Sequence, residues 1–456
     1  MKNILILILL FSLGYAQKES LSLDDCIQIA LTNKEALKAS ALDLESSRQS
    51  IKGSYSNILP NLALSLTESG VTEPNIEQTL NPFDELMDTV AIFFGMRDLV
   101  DSQDSQDNIS GTQNISSASV SLSQNIYDGG RWWNSIAQSK TNYKITEQFN
   151  RQVKTNIIRD VHRNYFNYLK SLQLLDVSQS NLNSSQQQLA LTKQRFDLGS
   201  ARKTDLLKAE VRYGQARVDV INNEAVLKNA YLSLKNAMGI VRTNRDFIVN
   251  DDVFFLDTIP DFENGFKSIQ KYNPSVLAKK NQITSAEYSE KIAKGSRLPQ
   301  ISASASYSGN SEDFQSLSDE WDQNWRMNTS LSFSIPIFTG NTLSTTIQQS
   351  TLNVRKQESE YLTQLQDLSV QLEVILDQLN YYKEVIPINE KVVASAEEDV
   401  KLVQERYSLG SASILEVLDA QVSLVTARSS LIRSKYDSMI DQASLKAILG
   451  TLDTDL

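Results

Sequence analysis

A stretch that occurs twice constrains this chain more than any other feature. Residues 195–200 read RFDLGS and residues 406–411 read RYSLGS. Downstream, Asp205 answers Glu416, Leu207 answers Leu418, Ala209 answers Ala420, Val211 answers Val422 and Gly239 answers Gly450, each pair 211 residues apart. Upstream, Ile126-Tyr127-Asp128-Gly129 faces Ile337-Phe338-Thr339-Gly340 at the same offset. A register held over so long a span marks an internal duplication, with repeats over about 17–245 and 246–456. In each RxxLGS, a glycine suited to end one helix precedes a serine suited to start the next. The two copies are read as the tips of long α-hairpins, at about 196–205 and 407–416.

The N-terminus assigns a compartment. One Lys, an apolar run from Ile4 to Leu13 and Gly14-Tyr15-Ala16 read as a secretory signal over 1–16, cut after Ala16. That run is too short to span a bilayer as a helix, and no later stretch approaches the ~18 apolar residues a span needs. Any membrane crossing therefore falls to strands. Cys26 is the only cysteine, which excludes an intrachain disulfide framework. Leu23-Asp24-Asp25 before it lacks the small residues of a lipidation site, so a packed helix position is expected. The formal charge of −11, or −12 once Lys2 leaves, argues against a nucleic-acid partner. Gly and Pro are sparse and no linker separates the halves, so 17–456 reads as one elongated domain.

Helical patterns cover 22–53 and about 264–295, where Asn33-Lys34 answers Asn273-Pro274 at an offset of 240. Leu59-Pro60 and Leu298-Pro299 end these helices, and strands follow. Four are expected, over about 60–70, 116–127, 299–309 and 326–338. Ile301, Ala303, Ala305 and Tyr307 alternate with serines; Leu62, Leu64 and Leu66 alternate with Asn61, Ala63 and Ser65. Strands of about ten residues with one apolar and one Ser/Asn face carry the pattern of an outer-membrane barrel with a wet lumen. The ordinary alternative is a half-buried soluble sheet. A long connection, 67–117, holds an acidic Ser/Gln/Asn-rich run and the apolar patch 90–94, and reads as an extracellular loop.

Gly129-Gly130 and Gly340-Asn341 then turn the chain into about 65 residues without a glycine, which is about 100 Å of helix. Pro387 is expected to kink the second of these. On the returning helices, Leu207, Val211, Val218, Ile221 and Leu232 keep the 3-4 spacing of Leu418, Val422, Val425, Ile432 and Tyr436. Leu365, Leu368, Leu372, Ile375 and Leu379 do the same on the incoming side. Such stripes predict coiled-coil pairing. Residues 240–262 read as a short irregular connection.

Four strands with a lipid face cannot stand alone, because an open sheet edge in hydrocarbon leaves backbone groups unpaired. Two chains would give eight strands and a filled interior, whereas three give twelve and an open lumen. The serine-rich faces favour a homotrimer.

Two RxxLGS tips, two Leu-Pro strand entries, two strand pairs and a late Ala-Ile-Leu-Gly resemble the TolC family of outer-membrane efflux proteins, over essentially the whole mature chain. The resemblance implies a mainly α chain with a transmembrane β-barrel portion: long coiled-coil hairpins forming a periplasmic α-barrel, and four strands per chain giving a twelve-stranded barrel. It also implies tips that dock a periplasmic adaptor (membrane fusion) protein and an inner-membrane transporter, and a passive duct for small molecules or polypeptides through outer-membrane lipid. By that resemblance Glu416 and Asp419 match acidic rings at the closed pore entrance, where mutual repulsion would raise some of their pKa values. The alternative is an ordinary solvated helix start, where acids suit the positive end. Thr204, Asp205 and Tyr407 match a periplasmic gate that ties the hairpins shut. The arginine the family places nearby is Ala412 here, with Arg202, Lys203 or Arg406 as substitutes. Leu198, Gly199, Ser200, Leu409, Gly410 and Ser411 are the adaptor contacts so implied, although the glycines also close the hairpins. Tyr127, Trp132, Trp133 and Phe338 sit where a barrel's aromatic girdle belongs. His162 stands alone without metal spacing, and no nucleophile or phosphate motif occurs, so no enzyme, cofactor or metal is expected. The competing reading is a non-conducting periplasmic coiled-coil scaffold.

Overall fold

A computed structural model describes residues 19–72, 112–240, 247–249, 259–312, 314–319 and 321–454. The expected signal at 1–16 and the apolar patch at 90–94 lie outside the described residues, as does most of the acidic run beside that patch. The first repeat runs β1 (Glu19–Leu21), α1 (Leu23–Asn33), α2 (Glu35–Ser54), β2 (Asn61–Thr72), β3 (Thr112–Tyr127), α3 (Arg131–Asp197) and α4 (Lys203–Ala237). The second runs β4 (Phe247–Val249), α5 (Phe262–Tyr272), α6 (Pro274–Gly295) and β5 (Gln300–Ser311). It continues through the short α7 (Phe314–Asp319) and α8 (Trp321–Asn324) to β6 (Trp325–Ser334), α9 (Thr342–Ser408) and α10 (Ile414–Leu449). The chain divides into a helical unit (1–51, 137–288, 350–456) and a unit holding the larger sheet (52–136, 289–349).

The sheet is antiparallel throughout, in the order β2-β3-β5-β6. Its register sorts the side chains into rows. Leu64, Val120, Tyr307 and Met327 line up across all four strands, as do Leu62, Leu122, Ala305 and Thr329. The intervening rows are Asn61, Ser123, Ser304, Ser330 and Ser65, Ser119, Ser308, Arg326. Because successive side chains point to opposite faces, one face is apolar and the other carries hydroxyls. Two details depart from expectation. Strand β6 stops at Ser334 rather than 338, since Pro336 has no N–H to continue a ladder. A bulge at Ile126 shifts the register so that Tyr127 pairs with Ile301 in the apolar row. Simple alternation would have placed Ile126 there.

In the helical unit, the segments expected to be unbroken helices at 22–53 and 264–295 are each divided. Lys34 (φ −69°, ψ 113°) and Asn273 (φ −67°, ψ 123°) leave the helical region. Their N–H groups close equivalent turns onto the Ala30 and Ile269 carbonyls, at 2.9 and 3.1 Å. At Asn273 the following proline enforces the break. The true register between these segments is therefore 239, not 240. At that offset buried Ala30 matches buried Ile269. The connection expected to be irregular contains β4, which pairs in parallel with β1. Three-residue strands are too short for alternation to reveal.

The long helices α3 and α9 each span 67 residues, and α9 passes Pro387 without a break in the helix. Incoming Leu368, Leu372 and Leu379 are buried with Ile269, Val276 and Leu445, as their spacing predicts. The stripe on α4 is not buried: Val211 is 73% exposed, and Leu207, Val218 and Ile221 are also exposed. The chain buries the neighbouring face instead, through Leu206, Ala209, Ala216 and Val220. Its two alanines leave room for close helix approach. Among the described residues no helix is long and apolar enough to cross a membrane.

Cys26 is fully buried beside Ile27, Ala30 and Val161 in the largest core, and burial pushes its thiol up to about 12. The folded protein should therefore resist a maleimide at neutral pH and react in denaturant. Rapid labelling without unfolding would contradict this packing.

Candidate functional site: the hairpin tips

Both tips are built by one local device. Gly199 (φ 72°) and Gly410 (φ 79°) adopt the left-handed conformation that an L side chain resists. The amides of Ser200 and Ser411 then reach back to the carbonyls of Arg195 and Arg406, at 2.8 and 2.9 Å. The serine hydroxyls donate to the same carbonyls, both at 3.0 Å. This satisfies helix-end acceptors that would otherwise lack partners. Leu198 (76% exposed) and Leu409 (83%) project from the turns, while Gly199, Ser200, Gly410 and Ser411 are also exposed. A Cβ added at either glycine would meet nothing within 4 Å, so the surface here is open.

The outgoing helices start differently. Ser413 caps α10: its hydroxyl accepts from the Glu416 amide at 3.3 Å, and the Glu416 carboxylate accepts from the Ser413 amide and hydroxyl at 2.9 and 3.0 Å. Arg406 lies 3.4 Å from the same carboxylate. The Ser413 backbone and side-chain hydrogen bonds, with help from Arg406, hold Glu416 below the ordinary glutamate range. That direction is opposite to the rise expected from ring repulsion, because within one chain the carboxylate is answered by donors. Glu416 and Asp419 are both exposed, on the side of α10 away from buried Ile414, Val417 and Gln421. In the first repeat, Asp205 only accepts from the Arg202 amide at 3.4 Å, and Thr204 is exposed.

The expected gate trio is thus not brought together within one chain. Among the described residues, no hydrogen bond joins Tyr407 to Thr204 or Asp205. Tyr407 is buried, 6% exposed, and its partners come from α3. Its hydroxyl lies 3.4 Å from Thr192 Oγ1, and the Arg195 guanidinium sits 4.5 Å from its ring centroid. Arg195 also donates to the Tyr407 and Ser408 carbonyls at 3.0 and 2.8 Å. Of the substitutes considered for the missing arginine, Arg406 folds onto its own turn, donating to the Ser411 carbonyl at 3.2 Å. Lys203 lies over Phe196. The residue that crosses is Arg195, the first residue of the motif itself.

At the other candidate positions, Trp133 (61% exposed), Phe338 and Tyr127 are open to solvent. Trp132 is buried instead, 8% exposed, with its amide held by Asp128 at 2.9 Å. An inward-facing ring cannot serve a girdle, so Trp132 leaves that set. His162 Nδ1 is 2.9 Å from the Ile158 carbonyl, and burial lowers its pKa.

Replacing Ser413 with Ala should cost the start of α10 about 1 kcal/mol and move Glu416 back up toward ordinary glutamate. Because the folded pKa is depressed, the contribution of Glu416 is full above the ordinary glutamate range and is lost as pH falls from there through the lowered value. Faster amide exchange over 414–417 in the variant is the expected readout, and unchanged exchange would refute the cap.

The family model described as outer membrane efflux protein matches residues 26–240 and 266–451. The outer membrane protein TolC of Escherichia coli (strain K12) is 27% identical over 357 residues, covering 75% of this chain and 70% of that protein. The proteases secretion protein PrtF of Dickeya chrysanthemi is 22% identical, covering 99% of this chain and 93% of its own. Among solved structures, the Campylobacter jejuni CmeC outer membrane channel superposes with a TM-score of 0.78 at 16% identity, over 94% of this chain and 86% of that one.

Proposed function

The chain belongs to the outer membrane efflux protein family, and from that membership we propose that it is the outer-membrane exit duct of a tripartite export system. A signal over 1–16 sends it out of the cytoplasm. Three copies close a twelve-stranded barrel in the outer membrane, and the helical unit lies in the periplasm. The tips dock an adaptor that links the duct to an inner-membrane pump. The protein channels its cargo and performs no chemistry on it.

The carrying observation is the sheet. Leu62 (68% exposed), Leu64, Leu66, Met327 and Leu331 stand bare on the face opposite the serine rows. A water-exposed apolar face of this kind would aggregate, but lipid satisfies it. Among the described residues its two edges, β2 and β6, have no further partner strand, and a bilayer tolerates no open edge. Further copies of the same sheet supply the missing partners. The helices support the same assembly. Val211, Val218 and Ile221 on α4, and Val374, Tyr381 and Ile388 on α9, are bare stripes suited to coiled-coil packing between copies.

In that assembly Glu416 and Asp419 form acidic rings favouring cations. Leu198, Gly199, Ser200, Leu409, Gly410 and Ser411 meet the adaptor, and Tyr127, Trp133 and Phe338 mark the membrane interface. Thr204 and Asp205 face the gate from a neighbouring copy. A hydroxyl-lined lumen has no chemistry selective for one solute, so cargo choice belongs to the pump, and both small molecules and polypeptides fit.

Refolded protein in a planar bilayer should give stepwise ion currents, small at rest and several times larger for Tyr407→Ala. Extraction from membranes should need detergent. Release by osmotic shock or a salt wash, together with no current from intact oligomer, would replace the duct with a soluble coiled-coil scaffold.

A further inference from the structure

We infer that Arg195 is the residue that holds the second hairpin tip against the first, and that it sets the resting conductance of the duct. This rests on the duct reading above and names the regulation of its tip. The geometry is specific. One guanidinium donates to two successive carbonyls at the end of α9, those of Tyr407 and Ser408, at 3.0 and 2.8 Å. Its face covers the Tyr407 ring at 4.5 Å. The carbonyl end of a helix carries partial negative charge, so a cation is favoured there as well as hydrogen-bonded. A planar fork that both stacks and bridges two acceptors cannot be copied by an ammonium group.

The surrounding seam explains why one residue carries so much. Along α3, the buried positions Ser171, Ser178, Ser185 and Thr192 recur every seven residues, where a coiled coil would place leucine. Ser185 Oγ has no hydrogen-bond partner. On α10, Gln421 is 4% exposed with neither its amide nitrogen nor its oxygen paired, on the same face as Ile414 and Val417. Buried groups left unpaired oppose close packing. The apolar cluster beside the tip is small: Val403, Tyr407, Ile414, Val417 and Ala420 are buried, with Leu191, Val400, Ala412 and Leu418 partly buried against them. Farther along, α3 meets α10 through the Lys170–Asp437 pair at 2.7 Å. Next to the tip, Arg195 supplies the directional contact.

The duplication sharpens the assignment. Arg406 occupies the equivalent position, yet it turns inward to Ser411 and Glu416 of its own hairpin. The same arginine thus closes one turn locally and ties the other turn across. The tie is intrachain, so each copy holds its own pair of tips.

The test uses the full-length oligomer in planar bilayers, comparing wild type with Arg195→Ala, Arg195→Lys and Lys170→Ala. Oligomer integrity is checked by size-exclusion chromatography with light scattering. Losing hydrogen bonds from a charged donor should raise the open fraction about tenfold or more in Arg195→Ala. Arg195→Lys should recover only part of the closure, and Lys170→Ala should match wild type within about twofold. Adding Tyr407→Ala to Arg195→Ala should give less than the sum of the two effects, because the ring contact is shared. Arg195→Ala should still open the Tyr407→Ala duct further, because the two main-chain carbonyls survive that substitution. Wild-type conductance from intact Arg195→Ala oligomer would overturn the proposal while leaving the duct reading standing. So would equal opening by Lys170→Ala, or complete rescue by lysine. If no variant conducts at all, wild type included, the duct reading fails, and the inference falls with it.

Discussion

A β-sheet edge exposed to hydrocarbon must find a partner, and the rest of this protein follows from that requirement. Each unpaired backbone group in lipid costs several kcal/mol, so a four-stranded sheet with two free edges is half of an unfinished contact. The apolar rows through Leu64, Val120, Tyr307 and Met327 identify which face meets lipid. The serine rows identify the lumen. Assembly is thus a condition of the fold, and it explains features that look wasteful in one copy. In the proposed assembly the bare stripes on α4 and α9 are the surfaces that meet neighbouring copies.

The duplication supplies the same parts twice and then uses them unequally. Two glycine turns, two back-bonded serines and two arginines have matching backbone geometry at both tips. Their side-chain roles diverge at two positions. Ser413 completes a reciprocal cap with Glu416, while Arg202, its counterpart, has no side-chain acceptor for such a cap. Arg195 crosses between hairpins, while Arg406 stays at home. If the tip opens as proposed, it needs a contact with a defined place and modest strength, and one stacked arginine meets both needs.

Much of this was legible in the chain. The period-two strands, the 211-residue register and the glycine turns each rest on local chemistry that a sequence displays directly. The misses share a physical origin in long-range contact. Nothing local tells Trp132 from Trp133, yet one is buried and the other is exposed. The bulge at Ile126 depends on the partner strand, and β1 with β4 is too short to show a period. On α4, hydrophobic spacing found a real stripe but could not say whether its partner lay in the same chain. The arginine tie was hidden for a similar reason. Arg195 was visible as a motif residue, but its reach to the Tyr407 and Ser408 carbonyls depends on how the two repeats pack.

The central claim is that the sheet is completed by identical copies of the chain. Native mass spectrometry of the protein released from detergent micelles tests it most directly. The account predicts one dominant species containing three chains, dissociating only as β-structure is lost. A folded monomer or dimer that keeps its four-stranded sheet in detergent would contradict it.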